Sequence, residues 1–211
     1  TVAKSIAPDQ VIANLAVDTA TIEYGDPITL SGTFTIKDKS PLAGVVVRIE
    51  GKSPGDATWR TLTTATTDIN GKITKPMLIG KATSIRATTE GTWERNDGLS
   101  NEVAISVSRL LNINAPATVK RGETVTVTGS LRPRTSGTFM TLESLVAGKW
   151  VSVGTAVPTD ALGAFTFNLP AQSKGSLTLR ISAAAENLYP LATSPQFSIL
   201  IRAGVLPELV K

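Results

Sequence analysis

The chain of 211 residues contains no histidine and no cysteine, and those two absences bound what its polar side chains can do. There is no imidazole base, no Ser-His-Asp or Cys-His pair, no thiolate nucleophile, no His- or Cys-bound metal and no disulfide. Acids, hydroxyls, amides and three tryptophans remain. Asp68-Ile69-Asn70-Gly71 resembles part of a calcium loop, yet one acid and one amide fall well short of the roughly six to eight oxygens Ca²⁺ takes. A type I′ or bulged hairpin turn accounts for its Asn-Gly. Glu90 and Glu94 are close in sequence, but glycoside hydrolysis needs two acids across a cleft, and nothing around them implies one. A Lys–Asn isopeptide bond is not expected either, because the opening stretch Leu15 to Ile22 has no lysine. Arg121-Gly122-Glu123 reads as a strand-leading turn. The expectation is a non-enzyme with no catalytic residue, no cofactor and no metal.

The aromatics carry the remaining candidates. Trp59 and Trp150 fall at equivalent places in two halves of the chain, which favours packing in a core short of aromatics over a sugar platform. Trp93 differs, lying among polar and turn residues in Glu90-Gly91-Thr92-Trp93-Glu94-Arg95-Asn96-Asp97-Gly98. Tyr189, in Asn187-Leu188-Tyr189-Pro190, is its nearest counterpart. Loops of this kind gather binding residues, so Trp93 and Tyr189 are the candidate ligand contacts. The alternative is that Trp93 folds back over the open end of its own domain.

Charge adds little. Lys plus Arg is 21 against 17 Asp plus Glu, a net charge of +4. The densest basic stretch, Lys120-Arg121 with Arg132 and Arg134, is interrupted by Glu123 and has no aromatic beside it, so nucleic acid is not an expected partner. No apolar run approaches the ~18–20 residues that span a bilayer as a helix, so membrane insertion is not expected. None of the asparagines begins an Asn-x-Ser/Thr frame, which disfavours a eukaryotic glycoprotein. The start Thr1-Val2-Ala3-Lys4 fits a processed chain or an excised fragment equally.

The elements that must position these residues follow from an internal repeat. Tyr24-Gly25-Asp26-Pro27-Ile28-Thr29-Leu30-Ser31-Gly32-Thr33 recurs as Arg121-Gly122-Glu123-Thr124-Val125-Thr126-Val127-Thr128-Gly129-Ser130. Trp59 recurs as Trp150, Thr67-Asp68 with Gly71 as Thr159-Asp160 with Gly163, Ile85-Arg86 as Leu179-Arg180, and Ser100 as Ser194. Landmarks in one order, with shifts between 91 residues (Trp59 to Trp150) and 97 (Gly25 to Gly122), mean two copies of one domain. Within each copy the apolar period is two: Ile28, Leu30; Val45, Val47, Ile49; Val125, Val127; Phe165, Phe167. Such strands bury one face and leave a Thr-rich face to solvent. About seven short strands per ~95 residues predicts an all-β chain of two tandem immunoglobulin-like Greek-key β-sandwiches joined by a short linker. The expected division is an N-terminal extension at 1–14, domain 1 at 15–108, domain 2 at 109–203 and a tail at 204–211. The join Ser108-Arg109-Leu110 has no flexible spacer, which predicts a stiff pair.

Gly25 to Gly32, Pro41-Leu42-Ala43-Gly44-Val45, Trp59, Thr67-Asp68-x-Asn70-Gly71, Ile85-Arg86-Ala87 and Ser100 together resemble the Big-type bacterial immunoglobulin-like domains of exported cell-surface proteins. The resemblance spans nearly all of residues 15–202. Copy two departs from it where Gly137 to Met140 replaces the Pro-Leu-Ala-Gly lead-in and Leu162 replaces Asn70. The resemblance implies an extracellular or cell-surface spacer, stalk or adhesin segment. Its expected partners are other protein subunits or neighbouring domains of a larger protein, with a carbohydrate or host protein as the alternative partner at Trp93.

Overall fold

A computed structural model describes residues 7–203; the tail at 204–211 and the first part of the extension, 1–6, lie outside the described residues. Every regular element among the described residues is a strand. The chain forms two compact units that meet in sequence at Val107 and Ser108.

The first unit contains β1 (Val11–Val17), β2 (Thr21–Glu23), β3 (Pro27–Ile36), β4 (Val46–Lys52), β5 (Arg60–Thr66), β6 (Lys72–Leu78), β7 (Thr83–Thr89), β8 (Gly98–Leu99) and β9 (Val103–Ser108). One sheet has the order β1-β3-β6, the other β2-β9-β7-β4-β5, with β8 added to β7. The sequence period sets which side of each strand faces the partner sheet. Ile28, Leu30 and Phe34 of β3, Val47 and Ile49 of β4, and Ile85 and Ala87 of β7 point inward and are fully buried. Thr29, Ser31 and Thr33 between them face outward, where β-branched and small polar side chains suit a pleated surface.

The second unit repeats this plan with β10 (Leu110–Asn114), β11 (Thr118–Lys120), β12 (Thr124–Arg132), β13 (Phe139–Val146), β14 (Lys149–Ser152), β15 (Val157–Pro158), β16 (Ala164–Pro170), β17 (Gly175–Ala183), β18 (Ala192–Thr193) and β19 (Phe197–Arg202). Its sheets are β10-β12-β16 and β11-β19-β17-β13-β14, with β15 on β13 and β18 on β17. Val125, Val127, Leu131, Met140, Leu142, Ile181 and Ile199 fill its core beside an edge-to-face Phe165–Phe167 pair, centroids 6.0 Å apart. Two facing, mainly antiparallel sheets, with β11 joining β19 in parallel, make the units immunoglobulin-like sandwiches, as expected.

Two expectations need correction. The opening strand begins at Val11, not at 15: Val11, Ala13 and Leu15 alternate as buried residues, and Val11 pairs with Ile36. Residues 11–14 therefore do have a counterpart in copy two, because β1 lies on β3 as β10 lies on β12. The Asp68–Gly71 turn is also not a hairpin. It carries the chain from β5 in one sheet to β6 in the other, and only Gly71 takes positive φ, at 69°, whereas a type I′ turn needs two such residues.

Candidate functional site

Most repeat landmarks prove to be pins that hold the sandwich. Thr67 Oγ1 donates to Leu42 O at 2.5 Å and accepts from Val45 N at 2.9 Å; Thr159 Oγ1 donates to Thr135 O at 2.5 Å and accepts from Thr138 N at 3.1 Å. Each hydroxyl ties the sheet-to-sheet turn to the strand that starts beside it. Asp68 Oδ1 accepts from Asn70 N and Lys72 N, and Asp160 Oδ1 from Leu162 N and Ala164 N, all at 2.8 Å. The acid is thus a ligand for backbone amides, and a calcium role is not needed to explain it. The position two residues after it contributes only an amide and no positive φ, so Leu162 replaces Asn70 without loss. The lead-in that looked replaced in copy two keeps its essential glycine: Gly44 N donates to Thr67 O as Gly137 N donates to Thr159 O. Ser100 Oγ accepts from Ala87 N at 2.8 Å and Ser194 Oγ from Ile181 N at 2.9 Å, each tying the connector into its sheet.

Trp59 and Trp150 are not in the core. Both are half-buried on the outer face of the larger sheet, outside the buried apolar clusters. Arg86 Cζ lies 4.2 Å from the Trp59 ring centroid and Arg180 Cζ lies 4.4 Å from that of Trp150. Arg86 Nε donates to Glu50 Oε2 at 2.8 Å, and Arg180 Nε to Glu143 Oε2 at 2.7 Å. Glu50 and Arg86 are direct cross-strand partners, as are Glu143 and Arg180. An inward position would strand a cation; the outward one lets indole, guanidinium and carboxylate clamp three adjacent segments. The repeat of Ile85-Arg86 was visible in the sequence. The recurrence of its acid, Glu50 with Glu143, was the signal that would have completed the triad.

The candidate ligand residues separate. Trp93 is 85% exposed, so it does not fold back over its own unit. It stands at the tip of a turn closed by Thr92 N to Arg95 O at 2.8 Å. That turn is braced by Asp97 Oδ1, which accepts from Gly91 N, and by Asp9, whose carbonyl accepts from Asn96 N at 2.9 Å. Tyr189 is half-buried, with the Arg109 guanidinium 4.6 Å from its ring centroid. Arg109, which the sequence presented only as part of the join, is fully buried: its Nη1 donates to Ala184 O at 2.8 Å and its Nη2 lies 2.5 Å from Glu186 Oε2. Tyr189 is therefore engaged in its own unit's packing, whereas Trp93 presents its indole to solvent.

A cavity of about 440 Å³ opens beside the Trp93 turn, walled by Gly44, Val46, Arg48, Glu90, Thr92 and Arg95. Arg48 Nη2 is hydrogen-bonded to Glu90 Oε1. Another groove of about 490 Å³ runs between the β5 and β6 edges, lined by Leu62, Met77, Leu78 and Ile79 with Arg60 and Lys75. The resolved titration shifts lie elsewhere. The backbone amide of Thr29 holds the Asp18 carboxyl below the usual range, and that of Ser40 does the same for Asp38. Both acids shape loops. Among the described residues, no group of three or more acids gathers as a metal cluster.

Fold and site together define a tandem pair of immunoglobulin-like β-sandwiches with one exposed aromatic loop. No family model matches the chain, and no curated protein does. Solved structures do. A tetra-tandem repeat from the extending region of a large adhesion protein is 16% identical, covers 90% of this chain and 50% of its own, and has a TM-score of 0.43. The D0–D1 domain of intimin is 18% identical over 90% of this chain and 100% of its own, with a TM-score of 0.35. Red sea bream transglutaminase is 10% identical over 94% of this chain and 32% of its own, at 0.42. The chain thus spans half the length of the adhesion-protein repeat it matches. At these values the similarities lend this chain neither a residue role nor an activity.

Proposed function

We propose that this chain is a non-catalytic structural or spacer segment of a bacterial cell-surface or extracellular protein, built from modules of the Big type. Its partners are then neighbouring domains or other subunits of a surface assembly. The supporting observation is the engagement of the shared landmarks: Thr67, Asp68, Arg86 and Ser100, and their counterparts Thr159, Asp160, Arg180 and Ser194, each bind within their own sandwich. What was kept through duplication is what holds the fold, which suits a role in length and rigidity. The test is the mass of the full chain in solution by light scattering over a wide concentration range, repeated without residues 1–6. A constant single-chain mass in both forms supports a spacer. A mass that grows with concentration and collapses on truncation makes the chain an assembly subunit joined through that segment.

A second reading has its own observation. The 85% exposure of Trp93, on a turn braced by Asp97 and Asp9, favours an adhesin-type module that takes a carbohydrate or host protein at that end. Trp93→Ala, expected to change stability by less than about 0.5 kcal/mol because the ring is exposed, separates the readings. A ligand lost with that side chain replaces the spacer reading with this one.

A further inference from the structure

Comparing the two units separates residues that hold the fold from residues free to do something else. Val47 pairs with Thr89 where Met140 pairs with Ala183, so Arg48 corresponds to Thr141 and Glu90 to Ala184. The second unit folds without either charge at those places. The Arg48–Glu90 pair is therefore an addition to the common plan, and it walls the cavity beside the Trp93 turn.

In the same wall, Arg95 has no anionic partner among the described residues, and its Nε is enclosed with no acceptor. Arg95 is half-buried and lines the cavity, so its guanidinium, unpaired with any acid among the described residues, is placed to take an anion there. The cavity, about 440 Å³, falls within the size range of small-ligand clefts, roughly 300–1,000 Å³. It has an apolar rim at Val46 and a hydroxyl at Thr92, and the exposed Trp93 stands one residue from its wall. The brace from Asp97 and Asp9 orders the loop before any ligand arrives, which lowers the entropy cost of binding.

Resting on the second reading above, we propose that this cavity takes a carboxylate-bearing sugar of the hexuronate class. The carboxylate bonds to the Arg95 guanidinium, the pyranose face lies on the Trp93 indole, and Glu90 and Thr92 accept and donate to ring hydroxyls. A single unpaired cation next to Glu90 matches one negative charge; a phosphate dianion would face the Glu90 carboxylate at close range. Arg48, already paired, holds Glu90 in position.

The test uses the full chain and two probes, trigalacturonate and its fully methyl-esterified form, which differ in charge but not in ring. Titration calorimetry at low salt is paired with amide chemical shifts. The expected result is that trigalacturonate shifts the Val46 and Thr92 amides and the ester binds about tenfold more weakly or worse. Arg95→Gln then abolishes the difference between the probes, and Arg95→Lys, which keeps the charge but not the fork, retains part of it. Trp93→Ala weakens both probes alike. Equal binding of the two probes, unchanged in Arg95→Gln, overturns the acidic ligand and leaves Trp93 as a neutral-sugar contact. Failure of both probes to bind at millimolar concentration overturns the site and the sugar-binding form of the second reading together.

Discussion

The Arg86 guanidinium lies over the indole of Trp59, its Cζ 4.2 Å from the ring centroid, and Arg180 repeats the relationship with Trp150 at 4.4 Å. Each cation is also bonded to a cross-strand glutamate, so the interaction joins β4, β7 and the start of β5 on the outer face of one sheet, and β13, β17 and β14 in the other unit. Side chains of Arg86 and Glu50 are 25% and 19% exposed, enough shielding for the contacts to matter. A double-mutant cycle of Trp59→Ala and Arg86→Ala should return a coupling of about 0.5–1 kcal/mol. Amide exchange at Ile85 in the full chain reads it. A coupling indistinguishable from zero would reduce the stack to coincidence.

The two left-handed glycines Gly71 and Gly25 should respond differently to alanine. Both have positive φ, 69° and 106°. A Cβ at Gly71 would stand 2.3 Å from Phe34 O, in the same turn where Gly71 O accepts from Phe34 N; at Gly25 it meets nothing within 4 Å. Gly25→Ala should cost only the backbone penalty, about 1–2 kcal/mol. Gly71→Ala, and Gly163→Ala in the second unit, should cost clearly more, read by denaturant unfolding of the full chain. Equal costs for Gly25→Ala and Gly71→Ala would mean the close approach is relieved without consequence.

Ser100→Ala and Ser194→Ala should destabilise their own units by similar amounts, about 1–3 kcal/mol. Each removes the acceptor of a buried strand amide, that of Ala87 or Ile181, and leaves it unsatisfied. Exchange of those two amides is the direct measurement. A serine that could be replaced with no change in exchange would not be a pin.

Asp18 supplies the pH prediction. Its Oδ1 accepts from Thr29 N at 2.9 Å and Thr19 N at 2.8 Å, and the bond from Thr29 lowers its pKa from 3.8. A folded pKa below the unfolded one means the contribution is present above the ordinary carboxylate range and is lost as pH falls through the lower, folded value. The Thr29 amide resonance should therefore titrate with a midpoint below 3.8, and Asp18→Asn should remove that titration. A midpoint at or above 3.8 would contradict the bond.

The sequence made the duplication legible because the shared landmarks are local. A turn glycine, an acid that caps its own loop and alternating apolar residues are each dictated within a few positions by backbone geometry and burial. Hence Ile28, Leu30, Val125 and Val127 were readable as inward-facing residues. The start of β1 is not legible in the sequence, because the alternation of Val11 and Ala13 has meaning only once Ile36 and Phe34 lie opposite.

The candidate site was readable in its exposed residue and not in its partners. Trp93, among turn residues with no alternating pattern, reads as a loop aromatic from sequence alone. That Arg48 and Glu90 meet, that Arg95 shares their cavity, and that Tyr189 is covered by Arg109 depend on residues separated by tens of positions. No local rule relates them. The sequence by itself determined two β-sandwiches, their strand faces and the turns between, because period and turn chemistry act over short range. The tertiary structure alone decided which charges pair and which indole stays in solvent, because electrostatic partners are chosen by strand register, and register brings distant residues together.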